Sequence, residues 1–191
     1  VEGVLLSKDK KTLIQYPIGN PRTSYAIPDS VTSIGNYVFI YCKSLASVTI
    51  PDSVTSIGNY AFSGCTGLKE VTIPNNVTSI GDHAFYNCEA LRTVTIGSGV
   101  TEIGDYAFDK CDRIKEVYAH PTVPPVIGSH TFTVYVNDNA TLYLYKESQE
   151  AYAKADYWEY FVKIGTIKKE YTLTYMVDDT LYAQEYYFEG D

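Results

Sequence analysis

The sequence of 191 residues lacks the features that mark several classes of protein. Its uncharged apolar runs are too short to cross a bilayer, which takes about 20 consecutive apolar residues. Its first residues have no basic start, apolar centre or cleavage site of a signal peptide. Lys and Arg are not clustered, and the net charge is −8. Because nucleic acids and anionic membranes bind basic surfaces, we expect neither as a partner.

Sequence motifs of common active sites are also missing. The chain has no Gly-rich phosphate loop, no nucleophile elbow and no His-Glu zinc motif. Its three histidines, His83, His120 and His130, show no spacing typical of a metal-ligand set or a catalytic pair. His83 takes a place that Tyr fills elsewhere in the chain, which favours surface packing. We therefore expect no enzymatic activity, no cofactor and no metal.

What the sequence has is a unit of 23 residues, repeated four times between Ile27 and Ala119. Its clearest copy begins at Ile50 and reads Ile-Pro-Asp-Ser-Val-Thr-Ser-Ile-Gly-Asn-Tyr-Ala-Phe-Ser-Gly-Cys-Thr-Gly-Leu-Lys-Glu-Val-Thr. The residues that recur with this period are Ile27, Ile50, Ile73 and Ile96; Gly35, Gly58, Gly81 and Gly104; Phe39, Phe62, Phe85 and Phe108; Leu45, Leu68, Leu91 and Ile114. A fixed period of 20–50 residues is typical of a solenoid, in which stacked repeats share one core. The predicted fold class is a β-rich solenoid.

Each unit predicts one short strand that contributes alternate side chains to the core. In the segment from Leu68, Val71 and Ile73 should point inward, while Glu70 and Thr72 point outward. Equivalent strands are expected to pair in parallel, about 4.8 Å apart. Gly81 is expected to permit a tight turn after the strand.

The turn that follows predicts an apolar side formed by Ala84, Phe85 and Cys88, in one helical or 3-10 turn. The four cysteines, Cys42, Cys65, Cys88 and Cys111, lie one period apart. Zinc sites use Cys pairs two to four residues apart, which argues against a metal. A disulfide between neighbouring rungs, as we call the stacked repeats of the solenoid, is allowed by distance alone. Because the side chains would point in parallel, we favour a ladder of buried, reduced thiols.

Acidic residues also recur, which could suggest paired carboxylates or a calcium ladder. The positions concerned are Asp29, Asp52, Asp82 and Asp105. Uncharged side chains fill the equivalent positions of other repeats, namely Asn36, Asn59, Asn75 and Ser98. We therefore favour turns stabilised by Asn and Asp side chains over a cation site.

The repeated pattern Ile-Pro-(Asp/Asn)-x-Val-Thr-Ser-Ile-Gly-x-x-Ala-Phe-x-x-Cys-x-x-Leu resembles the BspA-type leucine-rich repeats of bacterial surface proteins. The resemblance covers residues 27–119. It implies a leucine-rich-repeat, right-handed superhelix, export to the cell surface, and a role in adhesion or protein binding.

Three segments lie outside these repeats. Residues 1–26 predict an atypical first repeat, with strands at Val4–Ser7 and Thr12–Tyr16. Residues 120–167 predict a C-terminal cap, which resembles the segment that closes many BspA-type arrays. It would contain a strand from Thr141, one helix capped by Ser148, and an apolar face of Trp158, Phe161 and Ile164.

Residues 168–191 predict a β-hairpin with its turn at Asp178-Asp179. This hairpin resembles the start of an internalin-type B-repeat. The chain stops before such a module is complete, so we expect the sequence to be a fragment of a longer protein. Separately, we expect the chain to be a monomer.

The outward positions of the strands are the candidate binding site, because solenoids bind partners on extended faces. Besides Ser47, they are Thr49, Glu70, Thr72, Thr93, Thr95, Glu116 and Tyr118. Tyr118 is the one aromatic anchor among them. We expect non-catalytic binding of an extracellular protein or glycan. The alternatives are a structural spacer without a ligand of its own and, for the Thr ladder, a surface that merely suits β-structure.

Overall fold

In the computed structural model, which describes residues 3–177 and 180–188, two parallel sheets run along the repeats. The first sheet has seven strands, which are β1 (Leu5–Leu6), β2 (Thr12–Gln15), β4 (Ser33–Ile34), β6 (Ser56–Ile57), β8 (Ser79–Ile80), β10 (Glu102–Ile103) and β12 (Val126–Ile127). Each strand from β2 onward pairs in parallel with the next, and β1 pairs antiparallel with β2. The two-residue strands of this sheet from β4 onward were not predicted, because one strand was expected in each unit; the parallel pairing predicted for that strand is confirmed in the second sheet.

The second set of strands contains the predicted outward positions. β3 (Ser24–Ala26) pairs with β5 (Ser47–Thr49). A five-stranded parallel sheet follows, made of β7 (Glu70–Thr72), β9 (Thr93–Ile96), β11 (Glu116–Ala119), β13 (Thr141–Leu144) and β14 (Lys163–Thr166). Both sets of strands therefore continue through residues 120–167, beyond the four repeats recognised in the sequence.

The core between the sheets is built from ladders of identical side chains. Val71 and Ile73 are buried, as predicted from strand alternation. Five phenylalanine rings stack face to face along the core, with neighbouring centroids 4.7–5.2 Å apart, and they are Phe39, Phe62, Phe85, Phe108 and Phe132. Each repeat therefore buries its apolar side chains against equivalent residues of its neighbours, as a solenoid requires.

The turn from Ala84 to Cys88 differs in part from the predicted helical or 3-10 turn. The Cys88 N–H does donate to the carbonyl of Phe85, three residues back. The N–H of Phe85, however, donates to the carbonyl of Ala107 in the next repeat, and the carbonyl of Ala84 accepts from Phe62 in the preceding one. Backbone groups that a helix would pair internally thus join adjacent repeats, and a helix does not form.

Asn and Asp side chains join adjacent repeats rather than forming local turns. The Oδ1 atom of Asn36 accepts from the backbone N–H of Asn59 at 2.8 Å, and Asn59 accepts in the same way from Asp82 at 2.9 Å. Asp82 accepts from the N–H of Asp105 at 3.0 Å. Local turn stabilisation at these positions was therefore the wrong interpretation. We call this set of bonds the Asx ladder.

The Asx ladder also explains the recurrent glycine, for which a tight turn was predicted. A Cβ atom at Gly81 would lie 2.3 Å from the Oδ1 atom of Asn59, and one at Gly104 would lie 2.4 Å from that of Asp82. Both glycines have an ordinary negative φ. Glycine is thus required because a neighbouring side chain occupies the space, and not because of left-handed backbone.

Residues 120–167 also contain two short helices, α1 (Val134–Asn139) and α2 (Gln149–Tyr152). Thr133 caps α1, accepting a hydrogen bond from the N–H of Val136. The predicted cap at Ser148 is wrong, because its hydroxyl donates to the carbonyl of Tyr145 and it ends a 3-10 turn (Lys146–Ser148). None of the helices among the described residues is long enough to span a membrane.

Aromatic side chains cover the last rungs of the core. Trp158, in a second 3-10 turn (Trp158–Tyr160), is buried beside Phe161 and Phe132. The third residue predicted for this face, Ile164, lies on the edge strand β14 in register with the buried Leu142, and it is 49% exposed because no further strand of the described residues covers that edge. Ile164 still lines one pocket with Trp158 and Phe161, so it forms the exposed end of the predicted apolar face.

The predicted strands beyond residue 168 are present. β15 (Glu170–Val177) pairs antiparallel with β16 (Thr180–Phe188). The predicted turn at Asp178-Asp179 lies outside the described residues.

Candidate binding face

The outward side chains of β5, β7, β9, β11 and β13 form one surface, which we call the strand face. Its seven predicted residues fall into two rows. Strand pairing aligns Glu70 with Thr93 and Glu116, and it aligns Thr72 with Thr95 and Tyr118. Thr49 occupies the corresponding place on β5, which pairs with β3. Thr49, Glu70 and Thr72 are exposed, whereas the four later residues are half-buried.

The half-buried part of the strand face is held by contacts between rungs. Thr93 Oγ1 donates to Glu116 Oε2 at 3.4 Å. Tyr118 stacks on Tyr143 with ring centroids 4.5 Å apart. Burial, with a smaller contribution from Glu116, raises the pKa of Tyr118, so its hydroxyl stays protonated at neutral pH. The surface therefore presents hydroxyl groups that can donate and accept hydrogen bonds.

Three ring side chains beside Tyr118 were not predicted for this face. Tyr143 lies next to it in the same row, and His120 and Tyr145 each follow directly after the end of their strand, β11 and β13. Their register was hidden because 25 residues, not 23, separate His120 from Tyr145. The alternation in Thr141-Leu-Tyr-Leu-Tyr, once aligned with Glu116-Val-Tyr-Ala-His, is the signal that could have identified them.

A groove of about 620 Å³ lies where the strands of this face end. Its floor includes Pro74 and Gly97, and His120 and Tyr145 line one end. Polar side chains also line it, namely Asp52, Thr72, Asn75, Thr95, Ser98, Thr122, Glu147 and Lys169. A second groove of about 330 Å³ extends along β5 and β7 and shares Asp52, Thr72 and Pro74 with the first. Together they run across several rungs.

Hydrogen bonds and charges fix the end of the groove. His120 Nδ1 and the Tyr145 hydroxyl are 2.9 Å apart. Burial lowers the pKa of His120, so its imidazole is neutral at pH 7. The ammonium of Lys169 bonds to the Glu147 carboxylate and lies 5.4 Å from the centre of the Tyr145 ring. The hydrogen bond from Lys169 is the main reason why the pKa of Glu147 is below its usual value.

The remaining histidines belong to a different surface. Five rings stack with centroids 4.5–5.0 Å apart, in the order Tyr37, Tyr60, His83, Tyr106 and His130. The first four of them have a left-handed backbone, with φ of 54–62°. His83 packs between two tyrosines and is half-buried, rather than facing solvent freely. Stacking between repeats therefore explains why ring side chains recur at this position, including the two histidines.

The four cysteines are buried in the core, as predicted, and they carry free thiols. Three of them donate to a phenylalanine carbonyl of the preceding repeat, and the donors are Cys65, Cys88 and Cys111, at 3.0–3.3 Å. Burial raises the pKa of Cys42 to about 11 and raises those of Cys65 and Cys88 further. Among residues 3–177 and 180–188 no group of three or more His, Cys, Asp or Glu is placed to hold a metal ion.

The thiols should be unreactive in the folded protein, because the thiolate is the reactive form and burial disfavours it. At pH 8 a disulfide reagent should label the native protein far more slowly than the protein unfolded in guanidinium. Cys42 should react first, because it is 4% exposed whereas the other three cysteines are 0% exposed. Rapid labelling of all four native thiols would contradict the buried ladder.

The raised thiol pKa values also predict that the free energy of unfolding falls at alkaline pH. Because burial raises the thiol pKa, the unfolded chain ionises first, from about pH 9 upward. The stability that the protonated Cys42 contributes below that pH is then lost as the pH rises toward about 11. Denaturant titrations at pH 7 to 10 will measure this loss of stability. Cys42→Ser is the control, because it lacks the Cys42 thiol and should lose less stability over this pH range.

A family model places these repeats among known proteins. The model of the BspA type leucine-rich repeat region matches residues 20–137 in six copies. No curated protein matches the chain.

Solved bacterial structures share the fold. The pneumococcal vaccine antigen PcpA superposes with a TM-score of 0.72 at 22% identity, over 88% of this chain and 47% of the antigen. A leucine-rich repeat protein of T. pallidum gives 0.66 at 22% identity, over 85% of this chain and 78% of that one. A leucine-rich cell surface protein of Faecalibacterium prausnitzii gives 0.54 at 29% identity, over 62% and 38%. The chain thus spans about half of the pneumococcal antigen, and it belongs to the BspA-type leucine-rich repeat family.

Proposed function

We propose that the chain is a non-catalytic binding module of a bacterial surface protein, and that its strand face recognises an extracellular protein or glycan. The observation that carries this proposal is the pair of adjoining grooves on the strand face, which share Asp52, Thr72 and Pro74 and reach from β5 to Tyr145. Recognition sites are concave, and their few polar groups set specificity. A spacer that only separated modules would not need such a groove.

The proposed place of action is the cell surface. One of the similar structures, from Faecalibacterium prausnitzii, is described as a cell surface protein. The net charge of −8 further favours protein or glycan partners over nucleic acid.

The chemistry of the strand face supports binding rather than catalysis. Its hydroxyl groups come from Thr72, Thr95 and Tyr118, which are side chains that form hydrogen bonds without a charge. Tyr118 adds a flat apolar surface, which is typical of residues that dominate binding energy. The face is rigid because each of its strands is paired with a neighbour.

The test is binding of the soluble chain to extracellular-matrix proteins, mucins and polysaccharides. The variant Thr72→Lys/Thr95→Lys/Tyr118→Ala should lose saturable binding by about tenfold or more and should remain folded, because it changes outward side chains. Its matched control makes the same substitutions on other surfaces, as Thr55→Lys/Thr78→Lys/Tyr135→Ala.

The two variants separate the proposal from its rival. Full binding by the control, together with loss in the strand-face variant, would support the proposed site. Equal binding by both variants would contradict it. If the unmodified chain bound no member of the panel, the spacer function would replace the proposal.

A further inference from the structure

We infer that the groove ending at His120 and Tyr145 binds an uncharged polysaccharide, laid across the rungs of the solenoid. This inference rests on the proposed function and narrows its ligand to one chemical class. It is based on the shape of the groove, on its polar groups, on its charge and on the pairing of the strands beneath it.

The shape of the groove depends on the missing side chain of Gly97. Pro74, Gly97, His120 and Tyr145 occupy equivalent positions at the ends of β7, β9, β11 and β13. A Cβ atom at Gly97 would lie 2.4 Å from the carbonyl oxygen of Pro74, so the backbone excludes a side chain here. Gly97 therefore adds no side chain to the groove, which leaves its surface open beside the half-buried rings of His120 and Tyr145. A sugar ring can lie against these rings.

The polar groups of the groove suit a ligand with many hydroxyl groups. Thr72, Thr95 and Ser98 supply hydroxyls, which both donate and accept hydrogen bonds. Asp52 supplies a carboxylate, whose two oxygens can accept from neighbouring hydroxyls of one sugar. The half-buried rings of His120 and Tyr145 add apolar surface, against which the apolar face of a sugar can pack.

The charge of the groove disfavours acidic polysaccharides. Asp52 and Glu147 line the first groove, and Glu70 lines the second. Lys169 is the cation on this wall, and its ammonium bonds to Glu147. An anionic ligand would therefore meet the carboxylates of Asp52 and Glu70 along the two grooves, which costs free energy by like-charge repulsion. An uncharged chain avoids this cost.

The strand pairing favours a polysaccharide over an extended peptide. Peptides that bind sheets add a strand at an open edge and pair through the main chain. The groove instead crosses the strands: β9 and β11 are paired along both edges, and β7 is paired with β9. A ligand lying across them meets side chains at each rung, so the repeating units of a polymer can make similar contacts on successive rungs.

The test measures binding of the whole chain to laminarin, mannan and xylan as uncharged polysaccharides. Heparin and polygalacturonate serve as acidic ones. We expect saturable binding to at least one uncharged polymer and weaker or no binding to the acidic pair. Tyr145→Ala removes the aromatic ring at the end of the groove, and Asp52→Asn replaces a charged acceptor with a neutral amide. Each variant should weaken that binding by about tenfold. Tyr135→Ala, an exposed tyrosine on α1, is the matched control.

The outcomes distinguish the inference from the proposed function. Binding to a protein that is lost in the strand-face variant, without binding to any uncharged polysaccharide, would overturn the inference and leave the proposed function standing. Stronger binding to the acidic polymers, or unchanged binding in Tyr145→Ala and Asp52→Asn, would also overturn the inference. Absence of binding to every protein and polysaccharide tested would overturn both.

Discussion

Replacing Phe62 with alanine should lower the free energy of unfolding by about 3–5 kcal/mol, as expected for removal of a buried aromatic ring. The side chain is 0% exposed and stacks on Phe39 at 4.7 Å and on Phe85 at 5.0 Å. The backbone N–H of Phe62 donates to the carbonyl of Ala84 in the next repeat, so the chain is held and the cavity cannot easily close.

Denaturant titration followed by circular dichroism will measure this loss. Phe62→Leu is the matched control, because it keeps most of the apolar volume and should cost less than the alanine variant. An unchanged midpoint for Phe62→Ala would refute the inward position of this residue.

Replacing Trp158 with alanine should cost a similar amount, about 3–5 kcal/mol, concentrated at the C-terminal end of the core. The indole is buried against Tyr152 and Phe132, with centroids 5.1 and 5.7 Å away. Its Nε1–H donates to the carbonyl of Pro125 at 2.7 Å. Removal therefore opens a cavity and also leaves a buried carbonyl without its partner.

Limited proteolysis is the most direct measurement for Trp158, because rungs of a solenoid open locally from their ends. The alanine variant should be cleaved faster between residues 133 and 167 than within the earlier repeats. Trp158→Phe separates the two contributions, since it keeps much of the ring and loses the hydrogen bond, at a cost of about 1–3 kcal/mol. Equal protease resistance of the alanine variant and the unmodified chain would contradict this role.

The fold could be predicted from the sequence because the period repeats the same burial pattern at each rung. Val71, Ile73 and Phe62 alternate or recur at fixed spacing, so their inward direction follows from strand geometry alone. The exposure of Ile164 was missed because spacing by three residues shows a shared apolar face but not that Ile164 lies on β14, the edge strand of its sheet.

The binding site could be predicted only in part, because it depends on alignment between rungs. Thr72, Thr95 and Tyr118 follow from the 23-residue period. Tyr143 and Tyr145 follow only when the longer segment before β13 is taken into account, and sequence spacing did not show where the extra residues lie. The groove itself requires the close approach of Pro74 to Gly97, which depends on backbone coordinates.

The Asx ladder has a consequence for how genes of this kind can change in length. Each side chain in it bonds to the residue 23 positions later, and the stacked rings from Phe39 to Phe108 and the paired strands β4, β6 and β8 have the same spacing. A duplicated or deleted unit, for example from Ile50 to Thr72, therefore leaves every ladder with an equivalent partner across the new junction. Recombination between similar repeats can lengthen or shorten the molecule in whole rungs without a redesign of its core, and the span of the strand face would change by the same steps.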